Sequence, residues 1–176
     1  ITVHAPVMAR EISTGRWSVS GTPADAVKLA LRELLEKSPD IVVSGINNGL
    51  NTGANVLYSG TVAAALEAAQ YGIPAFAVSR KFSENGGFRA EARLAVRLIR
   101  RLLKLHPRTP AVFNINIPPG KPRGVLVTVT EKAPYNDRYR RRRDPRGRAY
   151  YWLPGTPERR LPRGAPPTDD WALARG

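Results

Sequence analysis

The sequence contains no cysteine. This excludes disulfides, thiolate metal sites and thiol nucleophiles, and it fits a cytoplasmic setting. Any metal held by the chain must use oxygen or imidazole ligands, and imidazole is scarce. His4 and His106 are the two histidines, and they lie far apart in sequence. His106 falls at a helix end, where a cation is favoured, and neither histidine reads as a catalytic base. No serine carries the nucleophile-elbow pattern, so protein-nucleophile chemistry is not expected. There is no Gly-Lys-Ser/Thr phosphate loop and no Gly-x-Gly-x-x-Gly dinucleotide fingerprint. No apolar stretch approaches the roughly 20 residues that cross a bilayer, so neither a membrane span nor a secretory leader is expected.

Acidic residues are also few, 14 against 28 basic ones, for a formal net charge of +14. The excess is concentrated in Arg138, Arg140, Arg141, Arg142, Arg143, Arg146 and Arg148, followed by Arg159, Arg160 and Arg163. Two readings of this run stand. It is a solvated loop of like charge, or it contacts a polyanion or an acidic partner. A length of 176 residues suits one domain with a sizeable core. The chain opens at Ile1-Thr2-Val3, inside what reads as a strand, and closes at Ala174-Arg175-Gly176 without a helix stop. It is therefore expected to be a piece of a longer protein.

What is present is strand–helix alternation. Residues 1–6 and 16–20 read as strands around a turn at Ser13-Thr14-Gly15. Thr22-Pro23-Ala24-Asp25 then starts a helix, with Thr22 as cap, Pro23 at the first helical position and Asp25 completing a capping box. Its stripe is Val27, Ala30, Leu31, Leu34 and Leu35, and its end is expected near Lys37. Ile41-Val42-Val43 reads as a buried strand leading into an Asn/Gly loop. A helix over 59–71 stops at Gly72, and a strand over 75–78 follows. After a loop over 81–87, a helix over 88–105 turns Leu94, Val96, Leu98, Ile99, Leu102 and Leu103 inward. Residues 111–117 and 125–130 read as two further strands. The pattern predicts an α/β fold, a doubly wound, mostly parallel sheet with right-handed crossovers. Residues 131–176, rich in proline, arginine and aromatics, form an extended arm or hairpin with a strand-like piece over 149–153. Such an arm suits exchange between subunits.

The candidate chemistry lies where the strand over 41–43 ends. Ligands of open α/β sheets collect at the carboxyl ends of strands, where helix N-termini attract anions. Asn47, Asn48, Asn51 and Asn55 gather there, followed by Ser59-Gly60-Thr61. Asparagine offers a carbonyl to a hard cation and an amide to a phosphate oxygen, although Asn/Gly clusters also make plain turns. Ser59 and Thr61 add hydroxyls, and Gly60 permits close backbone approach to an anion. Ser59 also reads as an N-cap. Asp25 and Asp40 are assigned to no site, and Asp169-Asp170 is a weak candidate that reads as solvated. Metal-assisted hydrolysis is the natural chemistry, because a divalent cation activates water and polarises a phosphoryl oxygen.

Three stretches, 19–29 (Val-Ser-Gly-Thr-Pro-Ala-Asp-Ala-Val-Lys-Leu), 40–49 (Asp-Ile-Val-Val-Ser-Gly-Ile-Asn-Asn-Gly) and 57–65 (Leu-Tyr-Ser-Gly-Thr-Val-Ala-Ala-Ala), resemble the survival protein SurE family. Ile73-Pro74-Ala75, residues 114–118 and residues 168–174 resemble it too, in order along the chain. The resemblance implies a Rossmann-like three-layer core over 1–130 and an exchanged arm over 131–176, giving a homodimer or tetramer. It also implies a phosphatase of nucleoside monophosphates that depends on Mg²⁺ or Mn²⁺. The family holds its ion with an Asp-Asp pair, a serine and the asparagine of Ser-Gly-Ile-Asn, and only the last is present, as Asn47. Ser59, Gly60 and Thr61 resemble the phosphate-side helix start, and Asn51 lies in the loop lining the same pocket. Tyr58 stands where some members have histidine, and Ala26 where many have cysteine.

The expected function is therefore a 5′/3′-nucleotidase, with polyphosphate as a further substrate. Activity is expected only where the Asp-Asp segment, which would precede Ile1, exists. The alternatives are an inactive protein that binds nucleic acid or polyphosphate through Arg138 to Arg148, and a self-association arm. No role for a membrane is expected.

Overall fold

Thr22, Pro23 and Asp25 start the first helix, α1 (Pro23–Leu29), as their order demands. The Thr22 Oγ1 accepts the Asp25 N–H at 3.2 Å, and the Thr22 N–H donates to the Asp25 carboxylate at 2.8 Å. This closes the capping box. The last turn widens over Ala30–Leu34, where the Leu35 N–H reaches the Ala30 carbonyl at 3.0 Å, and Leu35 leaves in an extended conformation. The helix thus stops short of Lys37, and Leu35 is exposed instead of completing the apolar stripe. The computed structural model describes residues 1–84, 86–105, 110–131, 139–153 and 167–175. His106, Arg138, Arg159, Arg160 and Arg163 lie outside the described residues.

Ahead of α1, β1 (Ala9–Ser13) and β2 (Arg16–Val19) pair antiparallel around Thr14-Gly15. Residues 1–6, expected to be a strand, are not one. Thr2 instead gives its N–H and its hydroxyl to Asp25, both at 2.8 Å.

The core is a parallel sheet of β3 (Val42–Asn48), β4 (Ala75–Arg80) and β5 (Val112–Ile117), in that order. Helix α2 (Gly60–Gln70) joins β3 to β4, and α3 (Arg89–Leu105) joins β4 to β5. The period of two in the strands sorts their side chains between two apolar layers. Phe76, Val78, Ile115 and Ile117 pack with Ala95 and Ile99 of α3, and Phe76 stacks on Phe113 at 5.2 Å between ring centroids. Ala75, Ala77, Val42 and Val112 pack with Val62, Ala65 and Ala68 of α2, joined by Val27 of α1. The small residues facing α2 let its alanine-rich side approach closely.

The three layers are thus helices, sheet, helix, a Rossmann-like arrangement. One expectation fails here. Strand order runs in one direction through both connections, yet α2 and α3 cover opposite faces. The two crossovers therefore have opposite hands, and one of them is the rare left-handed kind.

Four further differences have local causes. β3 continues through Asn48, so the Asn/Gly loop begins only at Gly49. Gly45 allows this by taking φ +124°, with a register shift between Gly45 and Asn47. Residues 125–130 are not a strand. Among the described residues only Val129 finds a partner there, a parallel bridge to Thr168. In α3, Val96 faces out at 48% exposure, and Ala95 takes the inward position. The arginine run is a strand and not a loop: β6 (Arg140–Arg143) pairs antiparallel with β7 (Ala149–Trp152), exposed along its length. A short helix, α4 (Asp169–Leu173), capped by Thr168, ends the described residues.

Candidate active site

The carboxyl ends of the three parallel strands bring Asn47, Ser79 and Asn116 into one row, since these residues are register partners across β3, β4 and β5. Ser79 and Asn116 continue the alternation of Ala75, Ala77 and Val112, so the row lies on the α2 face. Helix α2 returns antiparallel to β3 and β4, which puts its N-terminus at this same end and face. The row is polar and uncharged, and Asn114 lies one pleat further in.

Residues 49–53 cross over this row. The Asn51 N–H donates to Asn116 Oδ1 at 2.8 Å, and the Asn51 carbonyl accepts from Asn114 Nδ2 at 2.9 Å and Asn116 Nδ2 at 3.0 Å. The Asn51 Nδ2 donates to Ser79 Oγ at 2.6 Å. Asn51 is buried, and it fastens its loop to two strands at once. Asn47 is half-buried and donates Nδ2 to the Gly49 carbonyl at 2.7 Å. This orients its Oδ1 as the atom without an intramolecular donor among the described residues.

Ser59 caps α2 by accepting the Val62 N–H at 3.1 Å, which leaves its own hydroxyl proton to donate. Gly60 has a packing reason to be glycine that the sequence did not show. A Cβ there would lie 3.0 Å from Pro23 Cγ, so the start of α2 is seated on the start of α1. Thr61 is half-buried, and no hydrogen bond of its side chain is seen among the described residues.

Several residues of this end were not singled out from the sequence as site residues. Ser79, Asn114 and Asn116 are polar residues inside strands, and the i, i+2 spacing of Asn114 and Asn116 already implied a shared face. Arg80 is buried at 3% exposure. Its Nε donates to Asn48 Oδ1 at 3.0 Å, and its Nη atoms donate to the Gly87 and Gly86 carbonyls at 2.9 and 2.8 Å. Its guanidinium lies over Phe88, 4.1 Å from the ring centroid, and 3.4 Å from Glu91. Arg80 thereby pins the loop after β4 beside the Asn47 end of β3. Asp169 and Asp170 correct an expectation, because they are bonded inward instead of solvated. Asp169 accepts the Gly53 N–H at 2.9 Å and Asp170 accepts the Thr52 hydroxyl at 2.8 Å. No local pattern announces such a contact, since 116 residues separate Gly53 from Asp169.

The donor set is incomplete for a divalent ion. Asn47 Oδ1 is one neutral oxygen, and among the described residues no three His, Asp or Glu side chains come together to hold a metal. Mg²⁺ is bound through carboxylates in near-octahedral geometry, so these residues do not fit the ion by themselves. Ser59, Thr61 and the start of the eleven-residue α2 fit a phosphate better, with two hydroxyls and unpaired backbone N–H groups. Among the described residues no helix is long and apolar enough to cross a membrane.

The family described as "Survival protein SurE" matches residues 1–137. The 5′-nucleotidase SurE of Pelotomaculum thermopropionicum is 44% identical over 181 residues, covering 100% of this chain and 69% of that protein. The 5′-nucleotidase SurE of Desulforudis audaxviator is 47% identical over 164 residues, covering 89% of this chain and 64% of that protein. Among solved structures, the crystal structure of the SurE protein from Aquifex aeolicus superposes with a TM-score of 0.80 at 35% identity. That match covers 100% of this chain and 72% of the other. The chain spans 61% to 69% of the length of the curated relatives it matches here.

Proposed function

The chain belongs to the survival protein SurE family, and from that premise we propose that it takes part in hydrolysing the phosphate monoesters of nucleosides. The observation that carries this reading is the shared end and face of Asn47, Ser79, Asn116 and the Ser59 start of α2. A nucleoside monophosphate presents a compact anion, and the start of α2 offers hydroxyl and backbone N–H donors to it. The backbone N–H groups of Gly60 and Thr61 are among those an α-helix leaves unpaired at its start. In the proposed pose they and the Ser59 and Thr61 hydroxyls hold the nonbridging phosphate oxygens. Asn47 turns its Oδ1, an acceptor suited to a cation, toward this corner from β3, and Asn51 holds its loop across the strand ends.

Dependence on Mg²⁺ or Mn²⁺ belongs to the same proposal, with Asn47 as one ligand. The remaining ligands lie beyond the groups that the described residues bring together. Both 5′ and 3′ monophosphates, and polyphosphate, are proposed substrates, and association through the 131–176 arm is the proposed assembly. The two relatives compared above are named 5′-nucleotidase SurE, which disfavours the binding-only alternative.

Phosphate release from nucleoside monophosphates tests the reading, with and without EDTA and with Mg²⁺ or Mn²⁺ restored. Asn47→Ala and Thr61→Val are each expected to lower kcat/KM by about 100-fold, the scale for removing one group that stabilises the transition state. Undiminished turnover in both variants overturns the site.

A further inference from the structure

We infer that Asp169, at the start of α4, is a positioning residue for the loop that carries Asn51, and that it ties this loop to the base of the arm. The inference rests on the phosphate reading of the site. The Asp169 carboxylate is buried, 9% exposed, and serves three backbone donors from three parts of the chain. Its Oδ2 accepts the Gly53 N–H at 2.9 Å. Its Oδ1 accepts the Glu131 N–H at 2.9 Å and the Asp170 N–H at 2.9 Å. Asp170 adds the Thr52 hydroxyl at 2.8 Å. The two residues that follow Asn51 are therefore each held by one carboxylate of α4.

Helix α4 has five residues, too few to persist alone, so these contacts are what order it. The restraint acts on the loop as well. On one side Asn51 is held by Asn114, Asn116 and Ser79. On the other, Gly53 turns with φ +54°, and a Cβ there would meet the Glu131 carbonyl at 3.5 Å and Asp170 Oδ2 at 3.6 Å. Asn51 sits between these two anchors, and the position of its loop over the strand ends is set by both.

The same carboxylate joins the two flanks of the arm. The chain departs past Val129 and Glu131 and returns at Pro167. There the Val129 N–H meets the Pro167 carbonyl at 3.3 Å, and the Asp169 N–H meets the Val129 carbonyl at 3.1 Å. Asp169 touches no ligand in the proposed pose. It acts through Gly53, as Asp170 does through Thr52, so a displacement of the arm's base is delivered to the Asn51 loop.

The test is the affinity for inorganic phosphate, measured by calorimetry on the whole protein, with the kinetics of nucleoside monophosphate hydrolysis beside it. Asp169→Asn keeps the size of the side chain but replaces one acceptor oxygen with a donor that faces an N–H. It is expected to weaken phosphate binding at least fivefold and to raise KM by a similar factor while kcat changes less than twofold. That split marks a loss of binding shared by the ground state and the transition state. Asp170→Asn, which disturbs only the Thr52 hydroxyl, is the milder second variant, expected to shift affinity in the same direction by about twofold. It decides the matter if Asp169→Asn does not fold. Phosphate affinity unchanged in a folded Asp169→Asn protein, or in Asp170→Asn where the first variant is unfolded, overturns the inference. If the parent protein binds phosphate but releases none from nucleotides, the nucleotidase reading falls. The positioning role is then still decided by the phosphate affinities of the variants.

Discussion

At the scale of single residues, the strand-end row consists of uncharged amides and a hydroxyl, and its amide donors bond within the fold, so the donors for a phosphate come from the Ser59 start of α2. Asn51 gives its backbone and its Nδ2 to the fold, and Asn47 gives only Nδ2. Ser59 does two things with one oxygen, accepting from Val62 and keeping a proton to donate. The acidic residue at the neighbouring helix start has a different use. Asp25 accepts the Thr2 N–H, the Thr22 N–H and both threonine hydroxyls, each at 2.8 Å. These bonds, the Thr2 N–H foremost and then Thr22, hold its pKa far below the usual carboxylate range, against the opposing effect of burial. A carboxylate depressed in the fold stabilises fully above its unfolded pKa, about 3.9, and that contribution is lost as pH falls below it. Urea midpoints measured from pH 6 to pH 2.5 are expected to fall steeply below about pH 4. In Asp25→Asn the decline is expected to be shallower, from a lower midpoint at neutral pH. Parallel declines in the two proteins would show that Asp25 is not the group responsible.

At the scale of elements, β3 depends on Gly45. Its φ of +124° is strained for any L side chain, and a Cβ there would collide with the Val78 carbonyl of β4. Gly45→Ala is expected to cost about 3 kcal/mol in urea unfolding and to disturb the Asn47–Ser79 register at the site. A stable variant with full activity would remove the constraint. This element also shows what could be read in advance. Helices α1 and α2 were legible because Thr22, Pro23, Asp25 and Ser59 are local signals, each acting within one turn. The end of β3 was not legible, since Ser44-Gly45-Ile46-Asn47 carries turn composition and its extended pairing comes from β4. Residues 125–130 have strand composition, but among the described residues only Val129 finds a bridge partner, Thr168. Asp169 and Asp170 were misjudged for the converse reason. The donors in Thr52 and Gly53 lie over a hundred positions away, beyond any periodicity.

At the scale of the whole molecule, opposite-handed crossovers put α3 alone on one face and α1 with α2 on the other. The N-terminus of α2 shares its face with the amide row. The positive charge is placed differently, gathered on the β6–β7 ribbon. There Arg140 opposes Trp152, Arg141 opposes Tyr151 and Arg142 opposes Tyr150. Successive residues alternate sides, so both faces carry arginine beside an aromatic ring, and Tyr151 and Trp152 are each 61% exposed. Asp144 compensates part of the charge through Arg148 at 2.8 Å, and its pKa is lowered by the Arg148 N–H foremost, then by the Arg148 side chain and the Arg146 N–H. A two-stranded ribbon of this length is marginal in water on its own, and one exposing rings on both sides gains stability by being covered. A second copy of the chain is the proposed cover. Light scattering at about 0.15 M salt is expected to give the mass of a dimer or tetramer, and the double change Tyr151→Ser, Trp152→Ser is expected to return it to a monomer. Raising the salt separates the contributions, because contacts between arginine and acidic side chains weaken as charges are screened while buried rings do not. A parent protein that is monomeric at micromolar concentration in low salt would leave the ribbon without this role.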